Sequence, residues 1–167
     1  VMDMSKGEGI TAAKKPMDEL QRKPGERHGW HWYYPAIKKT NQYQHVKIDT
    51  NYWKTFVHQC LACDIGDVGA LALYGEKRPN HQLFAEHVAG SETYVETEGR
   101  GRKLREWKHR DNRPDNHWLD CLVLAAAAAS IQGMRVVGQD EAYGSSAGRK
   151  RRKLKLSELQ KQRRAGL

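Results

Sequence analysis

Hydrophobic and polar positions alternate in some stretches of this chain and recur with a helical period in others. Residues 28–34 (His-Gly-Trp-His-Trp-Tyr-Tyr) alternate and are rich in aromatics, the pattern of a strand, and Pro35 ends it. Residues 45–48 make a second short strand, followed by Asp49 and Thr50, residue types that cap a helix start. The helix expected over 51–62 sets Tyr52, Phe56 and Cys60 one turn apart, and Trp53 and Val57 likewise, so it should bury an aromatic face. A shorter helix is expected over 80–88, with Leu83, Phe84 and His87 at helical spacing. Residues 92–97 and 103–109 both alternate, and Glu98-Gly99-Arg100-Gly101 between them predicts a hairpin. The longest element is an Ala-rich helix over 116–133, entered through Arg113-Pro114-Asp115.

The intervening segments read as punctuation. Ser5 to Gly9 is expected to be a glycine-rich turn, residues 16–25 an extended loop, and 70–74 either a short strand or a buried turn. Strands, helices and a hairpin in this order describe an α/β or α+β layer, not a repeat or a coiled coil. Gly144-Ser145-Ser146-Ala147-Gly148 is a linker by composition. The expected organisation is therefore a folded region over 1–135 and a flexible linker with a disordered basic tail over 136–167.

Charge sharpens that division. The chain of 167 residues carries 29 Lys+Arg against 20 Asp+Glu, a formal charge of +9. Nine of those bases and a single acid, Glu158, lie from Arg149 onward, so the tail is +8 and the remainder +1. Arg149, Lys150, Arg151, Arg152 and Lys153 form a sequence-independent phosphate-binding run, with a solvated tail as the alternative. At 38% hydrophobic, the chain can close one modest core, which excludes a motor plus a nuclease. The longest apolar run, 121–129, is far short of the ~20 residues that span a bilayer. Cys60, Cys63 and Cys121 are too few for a secreted disulfide scaffold, which favours a reducing compartment. The apolar, strand-like start at Val1 reads as a chain that begins inside something larger.

The densest candidate chemistry is Arg113-Pro114-Asp115-Asn116-His117-Trp118-Leu119-Asp120-Cys121. Spacing of three puts His117 and Asp120 on one helical face, where a carboxylate can ligate Mg²⁺ or Mn²⁺ and His117 can ligate or orient a water. The same pattern also reads as a helix capped by Asp115 or Asn116, with Asp120 a surface acid. Gly7-Glu8-Gly9 lacks the Gly-Lys-Ser/Thr of a P-loop, so no ATP site is expected. Cys60 and Cys63 have zinc-like spacing but no second pair to complete four ligands, and read as small core residues. Trp30, Trp32, Tyr33 and Tyr34 read as sheet core in preference to a base-stacking platform. Asp49 reads as an N-cap in preference to a metal ligand.

The Asn-His-x-x-Asp-Cys core followed by an Ala-rich helix resembles the last nuclease motif of tailed-phage, lambda-like large terminase subunits. Segments in the same order resemble that family too: Lys6-Gly7 with residues 9–17, the junction Val46 to Lys54, and Glu106-Trp107, together spanning about residues 1–133. The resemblance implies an RNase H-like mixed sheet flanked by helices, a C-terminal portion of the whole, with carboxylates holding two divalent metals. Asp120 matches the family's late metal-binding aspartate and His117 a polar position beside it. The family's two earlier aspartates lie on strands before the glycine turn, where this chain begins. Asp3 lacks the motif that would carry such a role.

What the resemblance implies is metal-dependent endonucleolytic cleavage of double-stranded DNA during genome packaging. Mg²⁺ or Mn²⁺ would be the cofactor, Asp120 a ligand, and Lys6 with Arg149 to Lys153 the DNA contacts. The small terminase subunit and the portal are the implied partners, and the cytoplasm of the bacterial host the location. A different reading keeps the fold and drops the chemistry: a catalytically incomplete module that holds DNA or docks on a packaging partner.

Overall fold

A computed structural model describes residues 4–37, 43–75, 77–112 and 115–135. Its main sheet has four strands: β1 (Met4–Glu8), β2 (Arg27–Gly29), β3 (Trp32–Tyr34) and β4 (His45–Asp49). Their order is β1-β4-β3-β2. β1 runs parallel to β4, with Lys6 opposite Lys47 and Glu8 opposite Asp49, while β4–β3 and β3–β2 are antiparallel. The sheet is thus mixed, and helices α1 (Thr50–Ala62) and α3 (His117–Ile131) pack with it into one core. A second, two-stranded sheet is the hairpin β5 (Glu92–Gly99) and β6 (Arg102–His109). The architecture is mixed α/β, as the sequence pattern predicts.

Alternation along β4 explains which sheet face is covered. Val46 and Ile48 are buried, whereas Lys47 turns to the other face with Tyr33. Trp32 and Tyr34 of β3 join them, α1 contributes Trp53 and Val57, and α3 contributes Leu119, Val123 and Ala127 at intervals of four. The small side chains of α3 let it lie close over the sheet. Near its end Ser130 accepts a hydrogen bond from the Trp32 indole at 3.2 Å. Among the described residues no helix is long and apolar enough to cross a membrane.

Several elements differ from their expectation. Ser5 to Glu8 is strand, not turn, because Gly7 serves a close approach: a Cβ there would lie 2.6 Å from the Thr50 methyl. The aromatic stretch 28–34 is not one strand but two, β2 and β3, reversing at Trp30 and His31. His31 takes φ 53, a conformation that turns its carbonyl onto the Asp49 amide (3.0 Å) and the Trp53 indole (3.2 Å). Trp32 and Tyr34 do enter the core, but Tyr33 faces away. The helix expected over 80–88 is broken into a 3-10 turn (Arg78–His81), α2 (Gln82–Ala85) and a π turn (Glu86–Gly90). Residues 70–74 form neither strand nor buried turn, and Tyr74 is fully exposed. Cys63 is exposed and Cys60 only half-buried, so the pair is not core. The linker and basic tail lie outside the described residues.

Candidate functional site

The first turn of α3, the middle of α1 and the start of β5 meet at a buried ion pair. Lys54 donates from Nζ to Glu92 Oε1 and Oε2 at 2.5 and 2.7 Å, with side chains 13% and 1% exposed respectively. Asn116 Nδ2 donates to Glu92 Oε1 at 2.7 Å, so that carboxylate is buried and saturated. Asn116 stands at the N-cap position of α3 but makes no cap hydrogen bond, its amide being committed to Glu92. Asp120 Oδ1 lies 3.9 Å from the same ammonium with its side chain 51% exposed. The His109 ring approaches Glu92 at 3.8 Å from β6. One buried cation therefore faces two carboxylates, one consumed inside the protein and one open to solvent.

A second polar centre sits at the carboxyl end of β4. Asp49 is the N-cap of α1: its Oδ1 accepts from the amides of Asn51 (3.1 Å), Tyr52 (3.3 Å) and Ile10 (3.5 Å). Its Oδ2 lies 3.6 Å from His31 Nδ1, and the His31 ring stacks on Tyr52 with centroids 3.6 Å apart. Asn51 ties three elements together, donating to the Ile10 carbonyl and accepting from the Trp107 amide at 3.0 Å. Glu106 accepts from the Thr97 hydroxyl (2.8 Å) and the Ala12 amide (3.2 Å), and these bonds hold its carboxyl below the usual glutamate range. His58 stacks on Trp107, and burial keeps its imidazole below the ordinary histidine value.

Residues 26–141, well over half of the chain, match the family model of the terminase large subunit gpA endonuclease domain. This chain belongs to that family. No curated protein and no solved structure matches it. The family match runs from just before β2 through α3, so it includes the whole Lys54–Glu92–Asp120 cluster and leaves β1 outside. The family acts on DNA in packaging.

Placement of the residues singled out in this endonuclease domain is uneven. Asp120 sits within reach of Lys54, whereas His117 is 76% exposed at the start of α3. The His117 ring pairs with Asp115 (3.7 Å) and lies 6.0 Å from the His87 ring. The helical spacing of His117 and Asp120 thus brings them onto one helix but to different partners. Lys6 is exposed on β1 beside Lys47. Glu106-Trp107, one of the segments that resemble the family, serves as a clasp between the hairpin, the loop after β1 and α1. Arg149 to Lys153 lie outside the described residues. Lys54 and Glu92 were missed by sequence reasoning. They are separated by 38 residues, and neither stands in a pattern that singles it out.

Among the described residues no group of three or more His, Cys, Asp or Glu side chains is arranged to hold a metal ion. Glu92 is occupied by an ammonium and an amide, and Asp120 offers one carboxylate. These residues alone do not fit a two-metal centre, because a single carboxylate cannot bridge or neutralise two closely spaced divalent ions.

Proposed function

We propose that this endonuclease domain takes part in cutting double-stranded DNA during genome packaging, with Asp120 as the carboxylate presented to the substrate. The observation that carries this reading is the position of Asp120. It is the exposed carboxylate of a cluster in which Glu92 and Asn116 are buried and satisfied with Lys54, at the start of a helix locked onto the sheet. A carboxylate held by a buried cation on a rigid helix keeps its direction while leaving lone pairs free, which suits an oxygen ligand for Mg²⁺ or Mn²⁺. Either ion would meet one open carboxylate here and not a closed set of ligands. His117 offers an exposed imidazole one helical turn from Asp120, and Lys6 and the run Arg149 to Lys153 offer phosphate contacts.

The reading includes an RNase H-like sheet, action in the cytoplasm of the phage's bacterial host, and docking with the small terminase subunit and the portal. The incomplete donor set supports a second reading, in which the domain holds DNA or docks on a packaging partner without cutting. Nicking of supercoiled DNA in Mn²⁺ separates the two. Under the first reading the full chain nicks DNA and Asp120→Ala lowers the rate by about a hundredfold or more, since even outer partners of metal ligands are worth 10–100-fold. Unchanged nicking by Asp120→Ala overturns the role of Asp120. DNA binding without any nicking by the parent chain favours the second reading.

A further inference from the structure

Cys60 and Cys63 stand apart from the Asp120 cluster, at the other end of α1. Cys60 lies in the last turn of that helix and Cys63 is its C-cap, whose amide still donates to the Gln59 carbonyl at 3.1 Å. That bond keeps Cys63 on the helical cylinder, so a separation of three residues sets the two Cα atoms about 5 Å apart. A disulfide spans Cα atoms roughly 4.4–6.8 Å apart. Its Cβ atoms must come within about 4 Å, against about 5–6 Å for helical neighbours, so Cys63 has to turn inward slightly. The backbone permits this: Cys63 leaves the helix with ψ 147, and residues 62–69 are exposed, so no packed side chain holds it in place.

Both thiols line one cavity of about 70 Å³, with Val68 and Gly69 from the following segment. Ligand sites start at roughly 300 Å³, so this is room for side chains to close up and not a place for a ligand. A structural zinc needs four donors, and among the described residues no third His, Cys, Asp or Glu joins the pair. The pair is left with thiol chemistry, and its place at a helix C-terminus sets the character of that chemistry. The last turn of α1 has no basic side chain, and Asp64 follows Cys63. The negative end of the helix and that carboxylate both disfavour a thiolate. Burial, and next the neighbouring Cys63, push the Cys60 thiol up. Redox catalysts are strong oxidants when their reduced pair is stabilised as thiolate. This pair has the reverse setting, so its disulfide forms slowly and persists once formed.

We propose that Cys60 and Cys63 are a redox modification site that closes to an intramolecular disulfide when the surrounding thiol pool turns oxidising. The oxidant is a small disulfide of the glutathione type. Cys63, the exposed thiol, loses its proton and attacks one sulfur of that disulfide, whose S–S bond breaks and releases one reduced thiol. Half-buried Cys60 then gives up its proton and attacks the Cys63 sulfur, and the mixed disulfide breaks to release the second reduced thiol. The protein loses two electrons and two protons, and the small disulfide gains both. The bridge would form at the root of the segment after α1, where the Cys60 carbonyl accepts the Leu71 amide at 2.8 Å.

The test is intact-mass and peptide mapping of the full chain, first reduced, then held with oxidised glutathione in EDTA and trapped with an alkylating reagent. The parent chain should lose about 2 Da before alkylation and leave Cys121 as the thiol that takes the label, and the loss should come faster as pH rises from about 7 to 9. Cys60→Ser should stop at a glutathione adduct on Cys63, a gain of about 305 Da. Cys63→Ser should show no loss of 2 Da, and Cys121→Ser should behave as the parent does. A parent chain that stops at the Cys63 adduct, links into disulfide-bonded dimers, or bridges through Cys121 overturns the proposal. None of these readings depends on nuclease activity.

Discussion

At the scale of single residues, burial decides what each charge in the Asp120 cluster does. Glu92 is removed from water and Lys54 largely so, each is held by the other, and deleting Lys54 strands a buried charge on Glu92. Breaking such a pair costs about 3–5 kcal/mol, while replacing both members together is often close to neutral. Lys54→Met should therefore lower unfolding stability in urea by about that much, and Lys54→Met with Glu92→Gln should recover most of the loss. A single variant as stable as the parent would mean that the pair carries no such charge burden. Asp120 differs because it is half exposed and 3.9 Å from the ammonium, a contact worth at most about 1 kcal/mol. Loss of nicking in Asp120→Ala would thus report on chemistry, since that substitution is too mild to unfold the domain.

At the scale of elements, the instructive features are the ones whose local pattern points the wrong way. The reversal at Trp30 and His31 works because Gly29 lies flat against the Trp32 ring: a Cβ at position 29 would sit 2.1 Å from it. Trp32 cannot retreat, being buried and bonded through its indole to Ser130 on α3. Gly29→Ala should destabilise the domain by about 1–3 kcal/mol, the usual cost of overpacking, seen as a lower urea midpoint with weakened near-ultraviolet dichroism from the tryptophans. An unchanged midpoint would show that β2 can shift at no cost. The elements legible from sequence were those whose signal is local. They are the cap Asp49 with α1, the alternation of β4, β5 and β6, and the small-residue stripe of α3. Gly7 misled because a glycine required by close packing looks the same in sequence as one required by a turn. The candidate site was legible only through Asp120. Its partners come from a helix and a strand far apart in the chain, and the pairing of Lys54 with Glu92 leaves no periodic trace.

At the scale of the whole molecule, the charge is divided so that binding and positioning can be separated by experiment. The +1 remainder holds the endonuclease domain, whose match ends at residue 141, and the +8 segment follows it. Deleting everything after Gly148 leaves all of the matched residues in place, so melting temperature should be unchanged. Non-specific DNA affinity should not survive as well. Each phosphate neutralised contributes about 0.9 to the slope of log affinity against log salt. If half of the nine basic side chains beyond Gly148 meet phosphates, their removal should make that slope shallower by about four units and weaken low-salt binding by orders of magnitude. Titration of a labelled duplex at several salt concentrations reads all of this. A slope that does not move on truncation assigns DNA binding to the folded domain alone, and the basic run to some role other than holding phosphate.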